Sequence, residues 1–254
     1  MQRLNPLKRK MAAGETTYGL WVSLEAPTIT EIACELALDW VVIDVEHGHM
    51  DLKDVVEHLR VVRNTGTTGL VRIQEIEKGL IKRLLDIGAE GLIIPQIDSP
   101  DEIRQAIAFA KYPPRGIRGV AVERSTKWGL ELAEGTRRAD AETLIIPMIE
   151  TVAAGNAVDE IVAIPGIDAI FFGPADYCAS SGYLGEWNQP QVMSQMMAVQ
   201  SRVRAAKIPC GILTASIEEA RQRREQGFSL LALGTDTGML IRGIKQAKEG
   251  LDKP

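Results

Sequence analysis

Two carboxylates follow apolar runs in the middle of the chain, each near the point where its run ends. Glu150 comes directly after the run 144–149, and Asp176 follows the run 167–172 beyond a Gly-Pro turn. Such a turn ends a strand, because proline cannot extend the hydrogen-bond ladder. Acids at the ends of consecutive parallel strands face one pocket, and hard divalent cations prefer oxygen ligands. The pattern therefore predicts a metal held by both acids, although either acid could instead be a helix N-cap.

Other polar side chains could belong to the same pocket. His47 and Arg72 stand close to the ends of two further apolar runs, and Asp86 stands near the end of a segment with helical periodicity. From the residues alone, His47 could be a structural histidine, Arg72 could pair with a neighbouring acid, and Asp86 could be a solvated surface charge. His58 lies on the polar side of a helical segment and is expected to be a surface or structural residue. No lysine stands at a strand end, which favours metal chemistry over a lysine Schiff base.

The elements that would position these residues alternate along the whole chain. The strand candidates are 18–23, 40–45, 68–72, 91–95, 143–149, 167–172, 208–213 and 230–233. The segments with helical spacing are 28–38, 52–63, 76–87, 100–110, 151–163, 191–206, 216–226 and 237–248. Eight strand–helix repeats predict an α/β fold, a (β/α)₈ TIM barrel formed by a single domain over 1–254. An open doubly wound sheet is the alternative, but no Gly-x-Gly-x-x-Gly turn follows an early strand.

One long segment breaks this rhythm. Residues 112–135 are rich in proline, glycine and arginine and follow the fourth helical segment. Long loops in compact domains are usually functional or mobile, so we expect an active-site loop here.

Composition excludes several classes of protein. The formal net charge is −5 and no basic stripe stands out, so nucleic-acid binding is not expected. No apolar stretch is long enough to cross a membrane. The three cysteines form no Cys-x-x-Cys pair, which favours reduced thiols and the cytoplasm.

Five motifs occur in a fixed order at fitting spacings. They are Asp44-Val45-Glu46-His47-Gly48, Val71-Arg72, Tyr112-Pro113-Pro114-Arg115-Gly116-Ile117-Arg118-Gly119, Met148-Ile149-Glu150-Thr151 and Phe172-Gly173-Pro174-Ala175-Asp176. With them the chain resembles the HpcH/HpaI family of class II aldolases over residues 19–240. The resemblance implies a metal-dependent aldolase that cleaves or forms a 4-hydroxy-2-oxo acid or a 2-keto-3-deoxy sugar acid. The products would be pyruvate, by way of its metal-bound enolate, and an aldehyde.

The resemblance also implies a role for each residue at the reacting centre. Glu150 and Asp176 would be the protein ligands of Mg²⁺ or Mn²⁺, with Co²⁺ as a further candidate. The backbone N–H groups of Gly173 and Ala175 would bind the pyruvate carboxylate. Arg72 would lie against the keto oxygen and stabilise the enolate.

Further residues would assist these groups. By the same resemblance His47 would transfer protons, and Asp86 would orient and stabilise that histidine. Asp44 and Glu46 belong to the histidine's motif and would support it. Trp128, in the long loop, would either line the aldehyde pocket or pin the loop.

The resemblance extends to partners and assembly. We expect a small oxo acid and an aldehyde as the ligands, with neither nucleic acid nor membrane as a partner. The family commonly forms hexamers built as trimers of dimers, and residues 230–240 with the last helical segment are apolar enough to pack on a neighbour.

Two other functions stay open at this point. An acyl-CoA lyase of the citrate lyase β-subunit or malyl-CoA lyase type shares the barrel and the paired acids, but the intact Glu46-His47-Gly48 motif argues against it. A non-catalytic barrel that binds an oxo acid is the third possibility. The chain also departs from its relatives, because Met148 replaces a frequent glutamine and Cys178 stands near the site, where we expect a packing residue rather than a nucleophile.

Overall fold

Eight parallel strands close into one barrel in the computed structural model, which describes residues 5–187 and 189–252. Each strand pairs in parallel with the next, and β8 pairs with β1. The strands are β1 Thr17–Val22, β2 Trp40–Asp44, β3 Thr68–Arg72, β4 Gly91–Ile94, β5 Leu144–Ile149, β6 Ile170–Phe172, β7 Cys210–Leu213 and β8 Leu230–Thr235. The predicted (β/α)₈ architecture is therefore confirmed, and the open sheet is not formed. Residues 1–4, 188 and 253–254 of the predicted domain lie outside the described residues.

Helices follow the strands around the outside of the barrel. They are α1 Pro6–Ala12, α2 Pro27–Glu35, α3 Leu52–Val62, α4 Lys78–Asp86, α5 Pro100–Ala110, α6 Leu132–Glu142, α7 Val152–Asn156, α8 Val158–Val162, α9 Pro174–Ser180, α10 Pro190–Ala205, α11 Ile217–Glu225 and α12 Asp236–Asp252. The predicted helix 151–163 is two short helices, which meet at Ala157. Among the described residues, no helix is long and apolar enough to span a membrane.

The strands are buried on both faces, which explains why they appear in the sequence as continuous apolar runs. On β2, Trp40 and Val42 point into the barrel, whereas Ile43 packs against the helices. The barrel interior is filled by aromatic contacts such as the edge-to-face pair of Trp40 and Phe171, whose ring centroids are 6.3 Å apart. These side chains make the barrel a packed core rather than a channel.

Helix α1 closes the amino-terminal end of the barrel. Its residues Leu7 and Met11 join the interior cluster. The N–H of Leu7 donates to Thr68 Oγ1 at the start of β3, and Lys8 pairs with Asp168 just before β6 at 2.8 Å. With this end covered, a ligand must enter from the carboxyl ends of the strands.

The long segment after α5 also lies at the amino-terminal end. Arg124, in a short 3₁₀ helix Arg124–Thr126, donates to the backbone oxygens of Ile87 and Leu59, each at 3.1 Å. Both acceptors stand shortly before the starts of β4 and β3. The segment ends in α6, which begins at Leu132, inside the predicted loop. Within one chain this segment is therefore far from the carboxyl ends of the strands.

Candidate active site

A cavity of about 520 Å³ opens at the carboxyl ends of the strands. Residues at the carboxyl ends of β1, β2, β3, β5, β6, β7 and β8, or directly after them, line it. The structure brings most of the predicted site residues to its wall: Asp44, His47, Arg72, Glu150, Gly173, Ala175 and Asp176. Glu46 meets the same cluster through its ion pair with Arg72.

Arg72 is held on three sides in this cavity. Its Nε donates to Asp44 Oδ1 at 2.9 Å, and its Nη2 donates to the other oxygen of Asp44. Its Nη1 lies 2.6 Å from Glu46 Oε2, and its guanidinium carbon is 5.0 Å from the ring centroid of Trp21. Burial works against its charge, but the hydrogen bonds to Asp44 and the negative charges of Asp44 and Glu46 outweigh burial and raise the pKa of Arg72. The result is a rigid, permanent cation at the end of β3.

Asp44 connects this cation to the loop that carries the histidine. Its Oδ1 accepts from the backbone N–H groups of Glu46 at 3.1 Å and His47 at 3.3 Å. Its Oδ2 accepts from Trp21 Nε1 at 3.1 Å. One buried carboxylate therefore fixes Arg72, the Trp21 ring and the start of the β2–α3 loop together. The side chain of His47 stays exposed at the cavity wall.

Glu150 has one satisfied oxygen and one unsatisfied oxygen. Its Oε1 accepts from the backbone N–H of Gln96 at 2.7 Å, whereas its Oε2 is buried without a hydrogen-bond partner. Burial, together with the negative charges of Asp176 and Glu46, raises the pKa of Glu150 to about 7. A buried carboxylate oxygen without a donor is costly, and such an atom needs a ligand or a proton.

The residues present fit a hard divalent cation. Glu150 offers its free oxygen, and Asp176 lies on the first turn of α9, exposed at the same cavity. Among the described residues, no group of three or more His, Cys, Asp or Glu side chains is arranged to hold a metal. Two carboxylates, with water and substrate in the other positions, suit Mg²⁺ or Mn²⁺ and do not suit structural zinc.

Gly173 and Ala175 have different surroundings. The N–H of Gly173 donates to the backbone oxygen of Ile149 at 3.3 Å, so it extends the sheet instead of pointing at a ligand. Ala175 lies in the first turn of α9, where N–H groups have no carbonyl four residues earlier in the helix. A backbone N–H group in the first turn of a helix can donate a hydrogen bond to the carboxylate of a ligand. The N–H of Gly173 thus has a partner within the sheet, whereas the N–H of Ala175 stays a predicted donor to a ligand carboxylate.

Two predicted residues lie away from the cavity. Asp86 ends α4 at the amino-terminal end of the barrel, where it pairs with the buried Arg118 at 2.8 Å. The expected contact with His47 is not formed within the chain, because a helix that follows a strand ends at the opposite end of the barrel. Trp128 lies against Arg63, 5.5 Å from ring centroid to guanidinium, and does not line the cavity. Of its two predicted roles, pinning the loop is the one that its contacts support.

Other residues singled out in the sequence have structural surroundings. His58 is fully buried on α3 and meets Thr30 Oγ1 at 2.7 Å, so it is structural but not on a polar face. Cys178 is buried in α9, as expected for a packing residue. Burial raises the pKa of Cys210 to about 12, which keeps that thiol protonated and unreactive.

Sequence reasoning missed several residues of the site. Trp21 stacks on Arg72, and the backbone of Gln96, at φ 53°, turns its N–H towards Glu150. Ser23 and Thr237 add hydroxyl groups to the cavity wall. The available signal was their position, because each stands at or just after the carboxyl end of a strand.

Known proteins similar to this chain include aldolases that match it over most of their lengths. The sequence profile described as HpcH/HpaI aldolase/citrate lyase matches residues 17–243. A hydroxypyruvate/pyruvate aldolase of Pseudomonas aeruginosa is 33% identical over 245 residues, which cover 96% of this chain and 91% of that protein. A 5-keto-4-deoxy-D-glucarate aldolase of Salmonella arizonae is 32% identical, covering 98% and 97% of the two chains.

Solved structures agree with these sequence comparisons. An HpcH/HpaI aldolase/citrate lyase family protein from Burkholderia cenocepacia superposes with a TM-score of 0.94 at 33% identity, covering 98% of this chain and all of that one. The citrate lyase β-subunit of M. tuberculosis, complexed with oxaloacetate and magnesium, reaches a TM-score of only 0.59 at 16% identity, covering 90% and 95% of the two chains. The acyl-CoA lyase alternative therefore shares the fold only, whereas the predicted aldolase class is confirmed. On the extent and identity of these matches, the chain belongs to the HpcH/HpaI aldolase/citrate lyase family.

Proposed function

We propose that this chain is a divalent-metal-dependent aldolase that splits a 4-hydroxy-2-oxo acid or a 2-keto-3-deoxy sugar acid into pyruvate and an aldehyde. The observation that carries the proposal is the unpartnered, buried Oε2 of Glu150 in the cavity that also holds Asp176 and Arg72. Its relatives named as pyruvate and keto-deoxy sugar-acid aldolases support the same chemistry.

Glu150 and Asp176 would hold Mg²⁺ or Mn²⁺. When bound, the cation would polarise the 2-oxo group and lower the pKa of a water molecule beside it. The raised pKa of Glu150 means that the ion competes with a proton for this carboxylate. The first turn of α9, with the N–H of Ala175, would receive the carboxylate of the substrate.

Arg72 supplies the fixed positive charge for the developing enolate. Two of its five N–H donors are engaged by Asp44, and its Nη1 faces Glu46 in an ion pair, which leaves N–H donors for a substrate oxygen. Because both acids hold the guanidinium in place before the substrate arrives, little reorganisation is needed when negative charge develops on that oxygen.

His47 would move the proton at the 4-hydroxyl group of the substrate. Its backbone is fixed by Asp44, and its exposed side chain lies at the same wall. Loss of that proton lets the bond between carbons 3 and 4 break, so that the aldehyde leaves and the electron pair stays with the pyruvate enolate. A proton returned to carbon 3 then completes pyruvate.

The proposal includes assembly of several copies. An apolar groove of about 700 Å³ runs between α2 and α12 and exposes large side chains, among them Ile32, Leu36, Leu240 and Ile244. Exposed apolar patches of this kind mark protein contacts. Leu230 and Leu231, which were expected to help, are buried in β8, so the contact surface is α12 and not the preceding strand. A hexamer built from dimers is the form that the family resemblance favours.

A mass measurement tests this assembly. Light scattering on the purified protein should give a multiple of the chain mass, and Ile244→Asp should lower that mass. Lys245→Asp on the same helix is the control and should not change it. A monomeric wild type would contradict the proposed assembly but not the proposed reaction.

The chain has only three cysteines, and none of them forms a disulfide bond. This low number of unpaired cysteines agrees with the proposed cytoplasmic location.

Pyruvate release tests the proposed reaction directly. The protein should release pyruvate from a panel of 4-hydroxy-2-oxo acids in the presence of Mn²⁺ or Mg²⁺, stop in EDTA and recover when the metal is added back. Full activity in EDTA, or no pyruvate from any member of the panel, would refute the proposal.

A further inference from the structure

Asp236 ties together two loops that line the cavity opposite the paired acids. This carboxylate, at the start of α12, accepts from the backbone N–H groups of Ser23 at 3.0 Å and Leu24 at 2.9 Å. It also accepts from the Ser23 hydroxyl at 2.8 Å and from the N–H of Thr237 at 2.7 Å. The side chain is buried, with 6% of the residue exposed.

Hydrogen bonds rather than an opposite charge satisfy this carboxylate. Among the described residues, no Lys, Arg or His forms an ion pair with Asp236. Removing a buried acceptor of this kind leaves several donors without partners, and both loops would then lose their fixed positions. The carboxylate therefore holds the β1–α2 loop against the start of α12.

The held residues form one wall of the cavity. Ser23, Leu24, Thr235 and Thr237 all line it. Thr235 Oγ1 accepts from the N–H of Gly238 at 2.9 Å and lies 3.1 Å from Thr237 Oγ1. Because the Ser23 hydroxyl donates to Asp236, it is left to accept from a ligand, whereas the threonine pair retains a hydroxyl that can donate or accept. The wall therefore offers a ligand hydroxyl groups that accept hydrogen bonds and hydroxyl groups that can donate them.

The charges around the cavity are mostly negative. Asp44, Glu150 and Asp176 line it, and Arg72 is the one Lys or Arg among its described lining residues. That arginine is already paired with two carboxylates. His49, at the rim, lies 3.4 Å from Glu25. Among the described residues that line the cavity, a second carboxylate on the ligand would therefore find no Lys or Arg that is free of an acidic partner.

We infer that Asp236 is a positioning residue for the aldehyde-binding wall, and that this wall selects a short, uncharged, hydroxylated aldehyde over one that carries a carboxylate. The inference rests on the proposed function, because it names the acceptor side of that reaction. In the proposed reaction pyruvate would lie towards Glu150, Asp176 and Arg72, so the wall formed by Ser23, Leu24 and Thr237 would receive the aldehyde.

Two assays on the same protein separate this inference from the proposed function. Exchange of the pyruvate methyl protons with deuterated water needs the metal and the pyruvate side of the site, but no aldehyde. Addition of pyruvate to an aldehyde needs both sides. With Mn²⁺ present, addition should be measured with glyceraldehyde, propanal and succinic semialdehyde, which differ in hydroxyl groups and in charge.

The wild type should exchange pyruvate protons and should use glyceraldehyde with a kcat/KM at least about tenfold above that for succinic semialdehyde. Thr237→Val, which removes one hydroxyl at nearly constant volume, should reduce the preference for glyceraldehyde over propanal. Equal or better use of succinic semialdehyde would overturn the inferred selectivity while leaving the proposed function intact. A wild type without any exchange would overturn both.

The role of Asp236 is tested by Asp236→Asn. We expect KM for glyceraldehyde to rise by about tenfold, as for lost hydrogen bonds at a binding wall, with the exchange rate within about twofold of the wild type. Asp168→Asn is the matched control, because Asp168 accepts from the N–H of Ile145 at 2.8 Å and bridges two segments at the other end of the barrel. It should leave KM unchanged. Equal loss of exchange and addition in Asp236→Asn would show a merely structural role and overturn the assignment.

Discussion

Glu150 and Gly173 approach so closely that a Cβ atom added at residue 173 would lie 2.5 Å from Glu150 Oε2. That oxygen is the unpartnered one, and the same Cβ would lie 2.8 Å from the Glu150 Cβ. Position 173 therefore requires glycine, because the Cβ atom of any other residue would clash with the Glu150 side chain. The contact also explains why a glycine directly follows β6.

Gly173→Ala should disable the metal site while leaving the barrel folded. The new methyl group would displace Glu150 Oε2 from the cavity, so we expect pyruvate release to fall by at least about a hundredfold. Mn²⁺ affinity should fall with it. Gly66→Ala is the control, because nothing lies within 4 Å of a Cβ at that position. Unchanged Mn²⁺ affinity in Gly173→Ala would show that this carboxylate is not a ligand.

Glu150 should make the metal-free protein less stable as the pH rises. Its pKa is raised in the folded state from 4.5 to about 7, so the folded chain binds more protons than the unfolded chain between these values. Its contribution to the free energy of unfolding is then complete below pH 4.5 and is lost as the pH rises through 7. The full difference is about 3 kcal/mol.

Glu150→Gln should remove this dependence. Urea unfolding of EDTA-treated protein should show the variant gaining stability relative to the wild type between pH 5 and pH 8, although the variant is inactive. Glu160→Gln, at an exposed position on α8, is the control and should follow the wild type. A constant difference between Glu150→Gln and wild type across this range would contradict the raised pKa.

Arg72→Lys should reduce turnover far more than its unchanged charge suggests. An ammonium group cannot make the paired contacts with Asp44 or stack on Trp21, so the cation would no longer be fixed at the substrate oxygen. We expect kcat to fall about a hundred- to a thousandfold, as for the loss of an oxyanion donor. The matched control is Arg202→Lys, whose ion pair with Asp159 lies at the surface. Equal kcat values for the two variants would rule out a specific role for the guanidinium.

The buried pair of Asp86 and Arg118 should contribute to stability. Replacing either residue alone with alanine leaves a buried charge unpaired, which should cost about 3–5 kcal/mol. The double variant should lose less than the sum of the single variants in urea unfolding. Additive losses would show that the two groups are not coupled.

Since this pair lies at the amino-terminal end, an Asp86 that meets His47 would have to come from another copy of the chain.

Much of the fold could be predicted because strands buried on both faces appear as unbroken apolar runs. The strand at 68–72 was predicted with its observed bounds. The strand predicted at 167–172 was too long, since only Ile170–Phe172 form the strand. At Asp168, both the side-chain carboxylate and the backbone N–H form hydrogen bonds with the backbone of Ile145. Local patterns indicate burial but do not show which polar side chain replaces a ladder bond.

Site residues could be predicted where they lie at the ends of strands, but not where their position depends on contacts with distant loops. Glu150, Asp176 and Arg72 could be placed from topology alone. Asp86 and Trp128 lie away from the cavity within the chain. The order of elements could have indicated this, because a segment between a helix and the next strand lies at the amino-terminal end of the barrel. Asp236 could not be found, because its partners at Ser23 and Leu24 are more than two hundred residues away in sequence.

A calorimetric titration of the EDTA-stripped protein with Mn²⁺ at pH 8 tests the metal centre most directly. Wild type should bind one ion per chain, with affinity that weakens as the pH falls below about 7, where Glu150 takes up a proton. Glu150→Gln and Asp176→Asn should each abolish this binding. If Glu150→Gln bound Mn²⁺ as tightly as the wild type, the metal would lie elsewhere and the proposed mechanism would fail.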